Sequence, residues 1–527
     1  MHDATDRATS PEKPKPSIVD LIADAAAGKG TARFLPDSEP ISIAALWNES
    51  MTAATTVADR AGRDGAVGAL LSNTRDAVAG ALGVWCSGNT LVSLPARAGR
   101  QELTTWHGHI RRMCKLSGIN IILADASQAA ELAAGGFEVL RYEELGAGTP
   151  GIKPHPGPGG LIQFTSGSTG NPKGVVLSGY ALAENVLAIR GVLGLGAGDV
   201  SVSWLPLAHD MGFVGMLLTP LVAAGPRYGG AGFVLMQPRY FLRDPSRWLG
   251  ACSEFRAALT TVPNFAFDMA ARTRDRHQKL DLSSLRACVT GAERIRAESL
   301  RRFVAVFTPS GFRELSLCPA YGMAENCLAV TMVHPAELWR SQPIDGSEVV
   351  STGPPLPRNH IRVRDGGEIQ IRSPSLLEEY LGSEVPRTDD GWFRTRDAGA
   401  IDGGELFVLG RTDDTIDVGG RNVFSQDIEN ATEHYDLDVN SVAAIPWGDR
   451  QVAIVAEVHR QVVSLESLAE EIRSNVSRTT GVVVAALFFV RRGSLVRTAS
   501  GKIRRQMLST LMANGEIKCV ARYGKGF

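Results

Sequence analysis

Phe164-Thr165-Ser166-Gly167-Ser168-Thr169-Gly170-Asn171-Pro172-Lys173-Gly174 sets hydroxyls, glycines and one lysine between an apolar stretch and a helical pattern. Leu161, Ile162 and Phe164 give the apolar lead-in of a buried strand, and the residues after Tyr180 recur apolar at helical spacing. Glycines let a backbone approach a ligand with no Cβ in the way, so N–H groups can face phosphate oxygens beside the Ser and Thr hydroxyls. Lys173 adds a point charge in a chain where lysine is scarce beside arginine. The stretch reads as a polyphosphate loop on an α/β scaffold, against the alternative of a Ser/Gly-rich surface linker. Its spacing is not GxxxxGK followed by Ser or Thr, so a P-loop nucleotidase is disfavoured.

At 527 residues the chain exceeds what one hydrophobic core organises, and two or three domains are expected. An apolar content of 44% with 21% charged residues and a net charge of −1 is that of an ordinary soluble protein. No basic field points to nucleic acid and no basic amphipathic helix to a membrane surface. Seven scattered cysteines lack CxxC spacing, which argues against a zinc site or a disulfide framework and for reduced thiols. Residues 1–17 are polar and proline-rich, and read as a disordered tail without a secretory signal. A cytoplasmic location is expected.

Residues 18–148 alternate Ala-rich helical patterns with short apolar runs, as βα units on a largely parallel sheet do. A Pro/Gly-rich linker at 150–160 leads into the phosphate run. Further on, the apolar run 285–290, the turn Gly291-Ala292-Glu293 and an amphipathic stripe of Leu300, Phe303, Val304 and Phe307 read as strand, turn and helix. The turn lies open to a ligand at the strand's carboxyl end. Near His360 the period changes to two: Asp365-Gly366 and Asp402-Gly403 read as hairpin turns. The last unit carries Leu465, Leu468, Ile472 and Val476 on one helical stripe and a strand at 482–490. The expected fold is α/β: a large N-terminal domain, 18–411, of stacked α/β sheets plus a β-rich subdomain, then a smaller α+β domain, 412–527.

Several further segments accompany the phosphate run, in order: Gly291-Ala292-Glu293, Ala320-Tyr321-Gly322-Met323-Ala324-Glu325, Phe393-Arg394-Thr395-Arg396-Asp397, Gly410-Arg411-Thr412-Asp413-Asp414 and Arg497-Thr498-Ala499-Ser500-Gly501-Lys502. Together they resemble the motif series of the adenylate-forming superfamily of acyl-CoA synthetases, nonribosomal adenylation domains and luciferases, over about residues 40–510. The resemblance implies ATP or AMP, Mg²⁺ and coenzyme A as ligands. Thr165, Ser166, Gly167, Ser168, Thr169, Gly170 and Lys173 would grip the β- and γ-phosphates, with Thr169 near the metal. Gly291, Ala292 and Glu293 would lie along adenine, with Tyr321, Gly322, Met323 and Ala324 beside the purine. Glu325 would hold Mg²⁺, Asp397 the ribose hydroxyls, and Arg411 the nucleotide. Asp413 would be the hinge of a mobile small domain, Lys502 the catalytic lysine, and Gly420 would approach a pantetheine tunnel.

The chemistry can be stated without the family. Joining a carboxylate to a phosphate brings two anions together, so a cation such as Lys502 must neutralise charge developing in the transition state. Mg²⁺ takes one or two carboxylates plus phosphate oxygens, which suits Glu325. A carboxylate accepts from two vicinal hydroxyls, as Asp397 would. Taken singly, each residue has an ordinary alternative: a solvated lysine, a helix cap, a turn aspartate, a core tyrosine. Arg396 stands where the family motif has glycine. At positive φ its side chain would crowd the turn, slow adenylation and favour use of preformed acyl-adenylate.

Ser203-Trp204-Leu205-Pro206-Leu207-Ala208-His209-Asp210-Met211-Gly212, Val262-Pro263-Asn264-Phe265-Ala266-Phe267 and Gly420-Arg421-Asn422 resemble fatty acyl-AMP ligases, which pass acyl-adenylate to carrier proteins. Those enzymes carry an insert after the Tyr-Gly motif that restrains the small domain and obstructs CoA. Here fewer than thirty residues separate Glu325 from Gly353, so no such restraint is expected. The acyl pocket is expected from the segment after His209 and from Phe241, Phe265 and Ala292, an apolar set suited to a hydrophobic acid. His209 has two readings, a gate for substrate or thiol and a hydrogen-bonded core histidine. The leading expectation is a ligase that makes acyl-CoA from a hydrophobic carboxylic acid, in a natural-product pathway. The alternatives are an acyl-AMP ligase feeding an acyl carrier protein and a non-catalytic acyl-adenylate-binding protein. The pattern specifies no oligomeric state.

Overall fold

The structure is a computed structural model describing residues 15–97, 101–166, 172–273, 279–344, 346–364, 366–418, 421–432, 439–448, 450–458, 464–497 and 503–524. Two large sheets share one hydrophobic core. The first runs, edge to edge, Glu379–Leu381, Pro172–Ser178, Gly160–Ser166, Thr90–Ser93, Ala66–Ala69, Ile122–Ala124 and Val139–Arg141. The second has eight strands, with Leu317–Gly322, Ala287–Thr290, Leu259–Val262, Val200–Ser203 and Gly232–Met236 parallel in its middle. Helix Arg75–Cys86 is buried along nearly its whole length because RDAVAGALGVWC is apolar all round. Its Trp85 donates to the Gly160 carbonyl at 2.7 Å and meets Phe213 edge-on at 5.9 Å. That helix therefore joins the first sheet to the segment that follows His209.

One local expectation changes. The described ends of the phosphate run lie in strands: Gly160–Ser166 pairs antiparallel with Pro172–Ser178, and the helix Gly179–Leu193 starts only afterwards. The β-branched pair Val175-Val176 and Leu177 prefers a pleated, buried surface, and Ser178 then caps the helix through the Ala181 N–H.

Strands His360–Val363, Glu368–Arg372, Phe393–Asp402 and Glu405–Arg411 form an antiparallel four-stranded sheet, its first two and last two strands paired on either side of the expected Asp-Gly positions. Ile369, Ile371 and Leu406 of this sheet pack with Tyr321 and Val330. The turn Thr412–Asp414 follows, and beyond it separate cores form on the two faces of the sheet Val439–Trp447, Gln451–Val458, Val484–Arg491 and Cys519–Gly524. Leu468, Ile472 and Val476 of helix Leu465–Thr480 bury on one face, with Leu465 partly buried beside them. Leu508 and Met512 of helix Arg505–Ala513 cover the other face. Burial on both sides explains the unbroken apolar run in Val484–Arg491. All seven cysteines are free thiols. Among the described residues no helix is long and apolar enough to cross a membrane.

Candidate active site

At the hairpin tip Thr165 stands opposite Lys173 across the ladder. Gly167, Ser168, Thr169 and Gly170 lie outside the described residues, and Thr165 and Ser166 are described as strand backbone. The short strand Glu379–Leu381 lies alongside, with Leu381 opposite Gly174. This brings the Tyr380 ring to 5.6 Å from the Lys173 Nζ. The Tyr380 hydroxyl donates to Glu325 at 2.7 Å, and the Leu377 N–H donates to the Glu325 carbonyl at 2.8 Å. Burial and the Glu325 carboxylate raise the Tyr380 phenol well above its ordinary range, so it stays a neutral donor.

Tyr321 stands one residue before the end of strand Leu317–Gly322, at a register shift. Gly322 is required there: a Cβ would stand 2.0 Å from the Leu328 carbonyl. The Met323 N–H donates to that same carbonyl at 2.8 Å, and Ala324 opens the turn that presents Glu325. The Tyr321 hydroxyl donates to Asp397 at 2.6 Å, while the Arg411 Nε lies 3.5 Å from the other Asp397 oxygen. The Asp397 N–H is held by Thr395 Oγ1 at 3.0 Å, and Thr395 is itself fixed on the Ile369 carbonyl at 2.7 Å. Burial works against the Arg411 charge, but Asp397, Asp414, Glu325 and Asp413 together raise its pKa above the ordinary value. One guanidinium thus sits in the combined field of the ribose, metal and hinge candidates.

Arg396 has φ +61°, the conformation that its glycine-like position makes demanding. Its guanidinium lies 3.6 Å from Asp413, and its carbonyl accepts from Thr412 Oγ1 at 2.9 Å. On the far side of the connector Arg505 reaches Asp414 at 3.1 Å and Glu429 at 2.7 Å.

The turn Gly291-Ala292-Glu293 abuts the same place. A Cβ on Gly291 would come within 2.7 Å of the Ala320 carbonyl, Ala292 has φ +67°, and Glu293 accepts from the Phe265 N–H at 2.8 Å. Phe265 is 38% exposed, whereas Phe241 is fully buried and stacked on Trp204 at 3.8 Å and 3°. Phe265 lies 6.4 Å from Phe241 and 6.2 Å from Trp204. Phe241 and Phe265, two of the expected acyl residues, therefore form with Trp204 an aromatic wall beside the Gly291-Ala292-Glu293 turn. His209 is partly exposed; its Nδ1 lies 2.5 Å from Asp210 and accepts from the Met211 N–H at 3.4 Å. After it, Met211–Leu218 forms a wholly buried π-helical stretch.

Lys502 and Gly420 lie outside the described residues. Arg504 is close enough to act, after burial and Arg112, in lowering the pKa of His109 on helix Leu103–Ser117. That helix packs on Phe164 and Leu381, flanking the hairpin tip and the Tyr380 strand. The sequence reading missed Tyr380 and also Asn73, whose side chain fastens the loop before His209 through Leu205 O at 2.8 Å and Leu207 N at 3.2 Å. A lone tyrosine or asparagine carries no motif, and only the tertiary contacts reveal either. Among the described residues no group of three or more His, Cys, Asp or Glu forms a metal cage. A single carboxylate such as Glu325 instead fits Mg²⁺, which completes its shell with phosphate oxygens and water.

Residues 22–381 match the family model described as AMP-binding enzyme. The chain is 31% identical over 408 residues to the medium-chain fatty acid acyl-carrier-protein ligase JamA of Moorena producens, covering 68% of each chain. It is 31% identical over 446 residues to a putative acyl-CoA synthetase of Caulobacter vibrioides, covering 76% of this chain and 75% of that one. A solved structure from a study of fatty acyl-adenylate ligases of E. coli and L. pneumophila superposes with TM-score 0.86 at 25% identity, over 95% of this chain and 98% of that one. The chain belongs to the AMP-binding enzyme family and is an adenylate-forming acid–thiol ligase.

Proposed function

We propose that this ligase activates a hydrophobic carboxylic acid with ATP and passes the acyl group to coenzyme A. The observation that carries the reading is the convergence of two sets of side chains: Lys173 over the Tyr380 ring, whose hydroxyl donates to Glu325, and Tyr321, which donates to Asp397 beside the Arg411 guanidinium. In the first step a carboxylate oxygen attacks the α-phosphorus and pyrophosphate leaves. Lys173 and the hairpin tip hold the phosphates, Asp397 orients the ribose, and Lys502 neutralises charge on the α-phosphoryl oxygens. Glu325, positioned by Tyr380, would hold Mg²⁺, which supplies charge neutralisation to the phosphates when bound. In the second step a thiolate attacks the acyl carbon and AMP leaves. Splitting the reaction at the mixed anhydride replaces one hard step with two easier ones. Arg504 acts electrostatically on His109 of helix Leu103–Ser117, the helix that packs on Phe164 and Leu381, and this favours a small lobe docked for the first step.

The aromatic wall of Trp204, Phe241 and Phe265 supports an apolar acid. The segment between Glu325 and Gly353 is too short to hold the insert that obstructs CoA in fatty acyl-AMP ligases, which favours CoA as acceptor. Transfer to a carrier protein is the second reading, favoured by the likeness to the Moorena producens ligase. The positive φ of Arg396 supports slow adenylation with partial reliance on preformed acyl-adenylate. The test is to incubate the protein with a panel of fatty, aromatic and cyclic acids, ATP, Mg²⁺ and either CoA or a carrier protein, following products by mass spectrometry. Acyl-CoA is the expected product. Thioester on the carrier protein alone would establish the second reading, and tight binding of supplied acyl-adenylate with no product from any acid and ATP would establish a non-catalytic binder.

A further inference from the structure

The segment after the Tyr-Gly motif is short, yet it is not idle. Strands Ser341–Ile344 and Ser347–Val350 form a hairpin that Glu348 anchors to helix Ala297–Phe307 of the large lobe through Arg301 at 2.5 Å, while Ser341 Oγ donates to the same carboxylate at 2.6 Å within the hairpin. From its tip Ser347 Oγ donates to Asp427 Oδ1 at 3.0 Å. Arg294, next to the adenine turn, donates to that same oxygen. Asp427 sits in helix Ser425–Asn430 beyond the connector, on the small lobe. The Arg294 and Asp427 side chains are only 11% and 15% exposed. A carboxylate so enclosed keeps its charge-assisted bonds away from competing water, unlike the half-exposed pair of Arg396 and Asp413.

We propose that Asp427 is a positioning residue: with Arg294 and Ser347 it latches the small lobe in the orientation that presents the Lys502 loop for acyl-adenylate formation, and it must release before thioester formation. The inference rests on the two-step reading above. Its geometry also ties lobe docking to the nucleotide site, because Arg294 follows directly on Glu293 of the adenine turn. The expectation that this segment leaves the small lobe unrestrained is thus revised: a two-stranded hairpin and one arginine supply a restraint.

Asp427→Asn keeps the shape and removes the charge. It is expected to broaden the interlobe distance distribution in small-angle X-ray scattering and to slow acid-dependent ATP–pyrophosphate exchange about tenfold. Acyl transfer to thiol from supplied acyl-adenylate should be unchanged or faster. Ser347→Ala should give a smaller shift of the same sign, and Asp427→Glu, which retains the charge, should restore part of the exchange rate. Unchanged scattering together with an unchanged ratio of the two half-reactions overturns the latch, and so does an equal loss in both. If the unmodified protein exchanges pyrophosphate with no acid, the ligation reading fails while the scattering comparison still decides whether Asp427 holds the lobes.

Discussion

Asp397 is held by two donors of different character, the neutral Tyr321 hydroxyl at 2.6 Å and the Arg411 cation at 3.5 Å. Tyr321→Phe removes one donor without changing the ring, so KM for ATP should rise about tenfold while the fold persists, as initial rates will show. The same variant has a pH signature. Burial, then Asp397, raises the Tyr321 phenol well above its ordinary value, so its contribution to stability is complete below pH about 10 and falls as pH rises through the folded value. Melting temperatures across the alkaline range should therefore fall less steeply in Tyr321→Phe than in the unmodified chain. Arg396→Gly removes a left-handed arginine, which costs about 1 kcal/mol. It also removes an ion pair with both partners more than a third exposed, worth at most about 1 kcal/mol after screening. Stability should change by less than about 1 kcal/mol in denaturant titration, while pyrophosphate exchange speeds up. The demand at Arg396 was legible in the sequence because the motif wants glycine there, and its φ is +61°. Its attachment to Asp413 was not, since no local pattern encodes a side chain reaching across a turn.

The amphipathic stripe was legible, as helix Ala297–Phe307 buries Leu300, Phe303 and Phe307, and so were the antiparallel pairs flanking the two Asp-Gly positions. The strand Pro172–Ser178 was missed because glycine, valine and serine after the phosphate run give too little alternation to separate a strand from a helix start. Elements also set the aromatic wall proposed for the acyl group. Phe241 is fully buried on Trp204, so Phe241→Ala should cost about 3–5 kcal/mol in denaturant titration. Phe265, partly exposed at the wall's edge, should when changed to Ala cost less than about 1 kcal/mol yet raise KM for the acid. Equal stability losses in the two variants would remove the distinction between wall and rim.

The chain as a whole divides its polar chemistry from its cores. Burial pushes the thiols of Cys86, Cys252 and Cys318 up to about 12 and that of Cys114 to about 11, so thiol reagents near neutral pH should label partly exposed Cys519 first and the five buried cysteines only on unfolding. Mass mapping after brief labelling checks this. The order of the motifs was legible from sequence because each is a short run with fixed chemistry. How they converge was not, because Lys173 and Tyr380, Tyr321 and Asp397, and Arg294 and Asp427 meet only through sheet order and lobe docking. Acid-dependent ATP–pyrophosphate exchange, run on the unmodified chain and on Lys502→Ala, reports whether these distant segments act on one nucleotide. The expected result is exchange that requires a hydrophobic acid and is lost in Lys502→Ala. Exchange that persists undiminished in that variant, or none with any acid, would show that the convergence does not form acyl-adenylate.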